Sequence, residues 1–473
     1  DFEKLKAECL ANGTLFEDPE FPAVGSSLNL SEEIDCQWKR PKEIHSDASF
    51  IRKGVSRFDI KQGGLGDCWM LAALTSLTSN EKLFNLVAPN DQSFEENYAG
   101  IFHFRFWQYG KWLDVVIDDR LPTKDGELLF MKSSNRREFW SALLEKAYAK
   151  VHGSYEALEG GNETEAMEDF TGGVVEVYDI EDNQPPENFY NIMLKAYQRS
   201  ALMTCSLNAD PNVKEARTEE GLVKGHAFSI TRVQYVKTRT SKKVPLIRVR
   251  NPWGDETEWA GLWSDKSEAW KFLSDETKKE MGFKDREDGE FWIAYKDFVL
   301  HFDCVEICYL SPCSLGDAEL GANVKKWWQM YYFEGEWVSG ATAGGCSNNA
   351  ETFCYNPQYT INIVEPDDDD GDTCTVIVAL MQKNRRRMGI DSHPIGFSVF
   401  ELPDVDSLSK PLDNEFFQLQ DSIMNTTFSD KREVSARLQL TIGTYVIVPA
   451  TFEPNNDAEF ILRVFTGEKS HMK

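Results

Sequence analysis

The run Gln62-Gly-Gly-Leu-Gly-Asp-Cys-Trp69 constrains this chain more than any other feature. A glycine-rich turn there delivers a cysteine to the start of a helix. Met70, Ala73, Leu74 and Leu77 follow at i, i+3, i+4 and i+7, which predicts an amphipathic helix beginning near Cys68 with that stripe buried. Asp67 is the expected N-cap, leaving Cys68 at the first helical position. Unpaired N–H groups and the helix dipole favour an anion there, and so favour the reactive thiolate. Gln62 carries a side-chain amide suited to donating to a developing oxyanion. Cysteine is more often a packing residue than a nucleophile, so this reading requires a base and an orienting group elsewhere.

Both are present. Gly225-His-Ala-Phe-Ser-Ile-Thr231 reads as a strand with His226, Phe228 and Ile230 on one face and Ala227, Ser229 and Thr231 on the other. The small residues opposite the histidine allow another backbone or a ligand to approach. Leu246-Ile-Arg-Val-Arg-Asn-Pro-Trp-Gly254 is a second strand, on which Ile247, Val249 and Asn251 share a face. Pro252 ends its ladder and leaves Asn251 at the strand mouth. The expected geometry places Cys68 Sγ against one imidazole nitrogen, with Asn251 Oδ1 accepting the N–H of the other. Such a bond sets the tautomer and ring orientation without the charge an aspartate would bring.

These three motifs together resemble the protease core of the calpains, a papain-like Cys-His-Asn arrangement. The likeness extends through 97–107, 118–130, 138–150, Asp288-Gly-Glu-Phe-Trp292 and Thr342-Ala-Gly-Gly-Cys346, and covers nearly the whole chain. It implies an intracellular, calcium-activated cysteine endopeptidase acting on protein substrates, with catalytic residues Cys68, His226, Asn251 and Gln62. The implied fold class is α+β: a two-lobed papain-like core followed by an antiparallel β-sandwich.

Composition is compatible with that class. The 473 residues suffice for two to four domains, and the formal charge of −27 argues against nucleic acid as a partner. No stretch of 18 or more apolar residues predicts a membrane span. Ten scattered cysteines lack framework or metal-ligand spacing, as in a reducing compartment. The opening Asp-Phe-Glu-Lys, with neither methionine nor apolar leader, suggests a trimmed fragment rather than a secreted precursor. Four glycosylation sequons, at Asn12, Asn29, Asn162 and Asn425, pull the other way but are too short a motif to outweigh this. The expectation is a cytoplasmic protein, recruited to membranes at most.

Along the chain, 1–45 is a polar lead-in, 46–172 the lobe carrying Cys68, and 173–312 the lobe carrying His226 and Asn251, with Thr171-Gly-Gly173 as the hinge. A site divided between two lobes is disassembled by a small rotation and assembled by a ligand that holds them in register. From 313 to 473 the pattern turns to short β-rich runs at 360–364, 373–380, 396–402, 436–440, 444–448 and 460–465, as in a sandwich. No EF-hand loop pattern occurs, so the penta-EF-hand domain of conventional calpains is expected to be missing from this sequence.

The resemblance also implies two calcium sites. In the first lobe the matching positions are Asp59 and Glu138, with the carbonyls of Arg52 and Gly54. In the second they are Glu258, Asp265, Asp288 and Glu290 with the Arg286 carbonyl. The loop after Asn251 runs one residue longer than the family pattern, which leaves Glu256 as a rival to Glu258. Carboxylates and carbonyls are the donors calcium takes. Trp253 matches the tryptophan that gates the cleft. Glu365-Pro-Asp-Asp-Asp-Asp-Gly-Asp372, with six acids in eight positions, and Lys383-Asn-Arg-Arg-Arg387 mark charged loops in the sandwich, for which calcium, a basic face or phospholipid are candidate partners. A regulatory small subunit and a calpain inhibitor protein are further implied partners. Two other readings compete: a catalytically weak calcium- or lipid-dependent scaffold, and a transglutaminase-like acyltransferase, which has aspartate where this chain has Asn251.

Overall fold

The computed structural model describes residues 1–31, 34–181, 184–210, 212–213, 216–310, 329–366, 372–403, 409–466 and 470–472. The acidic run 367–371 and the expected 312/313 boundary lie outside them. The chain divides into two compact units, Asp1–Leu310 and Ser311–Lys473.

In the first unit the helix Cys68–Leu77 is the central element. Trp69 to Leu77 are all buried, with Met70, Leu71, Ala72, Ala73, Leu74 and Leu77 at 0% exposure. The expected single buried stripe is therefore too narrow. A helix apolar on all sides belongs inside a core, and here Ala72 and Ala73 are small enough for neighbouring backbones to close on every face. Ser229 Oγ donates to Ala72 O at 2.7 Å and Ser76 Oγ to Met203 O at 2.9 Å, tying the helix to two strands of the sheet behind it. The small-residue face opposite His226 thus receives a helix backbone.

That sheet has six antiparallel strands in the order Glu290–Ala294, Lys243–Arg250, His226–Lys237, Leu202–Leu207, Cys304–Tyr309 and Val174–Asp179. Val249, Ile247, Ile230, Phe228, Phe291 and Ile307 build a common core beneath it. The helix Glu163–Thr171 ends at Gly172, just before the first of these strands in sequence.

The remaining layer holds the antiparallel hairpin Ile101–Gln108/Lys111–Asp118 and the helix Trp140–His152. That helix carries Glu145 and Lys146 in its buried middle. Lys146 Nζ donates to Asp118 Oδ1 and Arg120 O at 2.7 Å each and to Asp118 O at 2.9 Å. Burial works against ionising Asp118, but Arg120 and Lys146 hold its carboxyl down to about 2.

The second unit is a sandwich. Its four-stranded sheet runs Gln329–Trp337, Ala458–Thr466, Thr373–Gln382, Glu433–Thr441; its five-stranded sheet runs Met424–Asn425, Ile395–Glu401, Gly443–Thr451, Tyr359–Ile363, Ser470–Met472. Val376, Val378, Leu380 and Leu462 from one sheet meet Ile361, Phe397 and Ile447 from the other. The six β-rich runs read from the sequence are all strands, with shifted ends. Gln329–Trp337 was not foreseen, because only Trp337 in it is buried and its pattern carries little contrast.

Lys146→Ala leaves Asp118 buried without its ammonium partner. We expect a stability loss of about 3–5 kcal/mol in urea unfolding; a loss below about 1 kcal/mol contradicts this account of the helix's anchoring.

Candidate active site

Cys68 opens its helix and is partly exposed, while its neighbours on both sides are buried. Trp69 Nε1 donates to Leu158 O at 2.9 Å. A Cβ on Gly161 would stand 2.4 Å from the Trp69 ring, so only glycine lets that segment lie against the indole. Asp67 occupies the N-cap position as expected, but its side chain makes no capping bond.

His226 and Asn251 are 2% and 0% exposed. Asn251 Nδ2 donates to Thr257 O at 3.1 Å, and its Oδ1 accepts Trp253 N–H at 3.0 Å, which orients the amide. The 2.8 Å contact between His226 Nε2 and Asn251 Oδ1 is therefore an Nε2–H donation. The neutral ring then has its lone pair on Nδ1. That atom is buried and makes no hydrogen bond among the described residues, to Cys68 Sγ or to any other atom. Burial drives the imidazole down to about 4, against the opposing effect of Asn251 and Asp255. The expected His–Asn bond is thus present and the Cys–His bond is not.

Trp253 is half-buried, its ring 4.9 Å from that of His226 and 5.6 Å from the Arg217 guanidinium. Gln62 N donates to Pro252 O at 3.0 Å, so the nucleophile loop touches the tryptophan turn directly. Gln62 Nε2 donates to Leu65 O at 2.7 Å. One of its two amide hydrogens remains for an oxyanion.

The expected metal residues fall into two clusters. Glu138 Oε1 accepts Arg52 N–H at 2.5 Å and its Oε2 accepts Ser133 Oγ–H at 3.2 Å; Asp59 Oδ2 accepts Ser56 N–H at 2.7 Å. Burial, with Asp59 alongside, pushes Glu138 up to about 8, and burial raises Asp59 too. In the second cluster Glu258 Oε1 accepts the N–H groups of Asp288 and Gly289 at 2.9 and 2.7 Å, and Asp265 Oδ2 accepts Arg286 N–H at 3.1 Å. Burial, with Asp265 and Asp288 near, moves Glu258 to about 7, and Asp265 likewise to about 7. Glu256 is exposed, so Glu258 is the acid that meets the loop.

Glu290 behaves differently. Both its oxygens meet Arg57, at 2.6 and 2.8 Å, and Arg248 lies 3.5 Å away. Burial would raise its carboxyl, but these arginines hold it below the usual range.

Residues 16–309 match the profile described as calpain family cysteine protease, and 333–465 match calpain large subunit, domain III. The chain belongs to the calpain family. Calpain-B of Drosophila melanogaster is 54% identical over 100% of this chain and 52% of its own length. Calpain-A of the same species is 53% identical over 100% of this chain and 58% of its own. The calpain-1 catalytic subunit of Gallus gallus is 49% identical over 99% of this chain and 68% of its own. The chain thus spans about half to three-fifths of the fly calpains it matches. A clostridial cysteine protease after propeptide cleavage aligns at 11% identity with a TM-score of 0.21, over 89% of this chain and 84% of that one, too weak a likeness to carry an argument.

Arg57, the partner of Glu290, escaped the sequence reading. Arg57 lies two positions before Asp59, and nothing local distinguishes it from other surface arginines.

His226 is neutral in the fold and ordinarily titrates near 6.5. Between that value and about 4 the unfolded chain binds a proton that the folded one refuses, so stability falls as pH drops through this window. From about pH 7 to about pH 5 the native chain should lose roughly 2 kcal/mol more than His226→Gln, read from urea midpoints. Equal losses contradict the assigned protonation state.

Proposed function

We propose that this chain is the catalytic portion of a calcium-activated cysteine endopeptidase that makes limited cuts in accessible, extended segments of proteins. The observation that carries this is the orientation of His226: Nε2–H on Asn251 and a buried, unprotonated Nδ1 without a hydrogen bond among the described residues. That is a base awaiting a proton donor. Cys68 would give its thiol proton to Nδ1 and its sulfur would attack the scissile carbonyl, with the Cys68 N–H and the second Gln62 amide hydrogen receiving the oxyanion. The imidazolium, held by Asn251, would pass its proton to the leaving amine. It would then take one from the water that cleaves the thioester.

The two carboxylate clusters fit calcium by donor chemistry: hard oxygens, more buried acid than local N–H groups can keep ionised. Asp59 and Glu138, with the Arg52 and Gly54 carbonyls, would form one site; Glu258, Asp265 and Asp288, with the Arg286 carbonyl, the other. Calcium, when bound, supplies the positive charge that lets these acids ionise together. Glu290 would join only by loosening its hold on Arg57.

Asn251 N donates to Gly289 O at 2.8 Å, so the second loop is bonded to a catalytic residue. Gly289 has φ 85°, and a Cβ there would lie 2.8 Å from Asn251 O. The Arg57–Glu290 pair joins the stretch carrying Asp59 to the strand that follows this loop. Order in either loop therefore reaches the triad through a few bonds.

Asn251 in place of aspartate disfavours the transglutaminase-like reading, and the complete triad disfavours a mere scaffold. A cytoplasmic location, phospholipid contact through the sandwich, a regulatory small subunit and an inhibitor protein remain part of the proposal on family grounds. Among the described residues no helix is long and apolar enough to cross a membrane.

Casein cleavage should appear with calcium, be small without it, and vanish in Cys68→Ser. A calcium-free rate equal to the saturated one, or activity in Cys68→Ser, overturns the reading. Glu138→Gln and Glu258→Gln should each raise the calcium midpoint by roughly tenfold; unchanged midpoints in both exclude these acids as ligands.

A further inference from the structure

The turn 62–68 is tethered at both ends. Near its start, Gly64 N donates to Leu129 O at 3.0 Å, and a Cβ on Gly63 would lie 2.2 Å from Phe130 O. Near its end, the segment 158–161 closes on it. Glu159 Oε2 accepts Gly66 N–H at 2.6 Å, Gly160 N donates to Gly66 O at 2.9 Å, and Trp69 Nε1 donates to Leu158 O at 2.9 Å. A Cβ on Gly66 would stand 2.7 Å from Glu159 Oε1, so glycine leaves the room that this carboxylate uses. Of these tethers, only Glu159 contributes a side chain from outside the turn.

The bond to Glu159 bears on the oxyanion donor. Gln62 Nε2 donates to Leu65 O at 2.7 Å. That carbonyl and the Gly66 N–H belong to one peptide unit, which is planar, with its C=O and N–H pointing in opposite directions. A carboxylate that grips the N–H therefore also sets the direction of the C=O, and with it the Gln62 amide. A charged acceptor on the N–H further polarises the unit and strengthens its oxygen as an acceptor.

We propose that Glu159 is a positioning residue for the oxyanion hole. It holds the Leu65–Gly66 peptide plane, and that plane aims the second Gln62 amide hydrogen at the developing charge. Glu159 itself touches neither substrate nor thiol. The proposal rests on Cys68 as nucleophile and Gln62 as oxyanion donor.

The test compares casein cleavage at saturating calcium with iodoacetamide labelling of Cys68, located by peptide mass mapping. The chains are the native one, Glu159→Ala, Glu159→Gln, Gln62→Ala and the double variant Glu159→Ala/Gln62→Ala. Labelling displaces iodide and forms no oxyanion, so it reads the thiol alone. Glu159→Ala should lower kcat about tenfold, with KM within about twofold and no loss of labelling rate. Glu159→Gln keeps an oxygen that accepts Gly66 N–H, and its kcat should stay within about threefold of native. With Gln62 already removed, Glu159→Ala should cost less than about twofold, because the group it acts through is gone. A native kcat in Glu159→Ala, a labelling rate that falls as far as kcat, a glutamine variant as slow as the alanine one, or full additivity with Gln62→Ala each overturns the proposal. Circular dichroism melts check each fold. Should Glu159→Ala not fold, Glu159→Asp, one methylene too short to reach, carries the same test. A native kcat in Gln62→Ala overturns the oxyanion role of Gln62 together with this proposal, whereas a slow Gln62→Ala beside a native Glu159→Ala overturns this one alone.

Discussion

Every polar atom of the Asn251 amide side chain, and its backbone N–H, is engaged. Oδ1 takes His226 Nε2–H and Trp253 N–H, Nδ2 binds Thr257 O, and the N–H binds Gly289 O. Because the residue is wholly buried, no water competes for these bonds. One residue therefore decides which imidazole nitrogen carries the proton, where the tryptophan turn begins, and where Gly289 of the acidic loop 286–290 is held. An aspartate would satisfy His226 but would leave Thr257 O without its donor.

Around that node the charges are arranged in tension. Two clusters hold carboxyls that burial pushes toward the neutral form, at Asp59/Glu138 and at Glu258/Asp265. Between them Glu290 is kept ionised by Arg57, Arg248 and Arg250. Buried acids without matching cations are costly to ionise.

Much of this was legible in the sequence. The glycine turn before Cys68, the His226 strand and the proline after Asn251 each follow a local rule, and the structure places all three as read. The alternation in 360–465 predicted the sandwich strands. Local reading failed where partners are distant. The helix Cys68–Leu77 looked one-sided because sequence period cannot show that Ser229 and Ser76 bring strands against its other faces. Nothing in the sequence indicated that the Glu290 carboxylate pairs with Arg57, more than two hundred residues earlier. Asp67 read as a cap, yet its carboxyl is buried and makes no capping bond.

The sequence by itself determined which chemistry is present: a thiol at a helix start, an imidazole, an amide to orient it, and acids enough for metal. Residue identity and short-range geometry carry that information, since caps, turns and strand faces depend on neighbours in the chain. Only the tertiary structure decided how those groups are charged and which are joined. Among the described residues His226 Nδ1 makes no hydrogen bond, and Glu290 is claimed by an arginine, because burial and long-range contact set protonation and pairing, and neither is a property of any local stretch of chain.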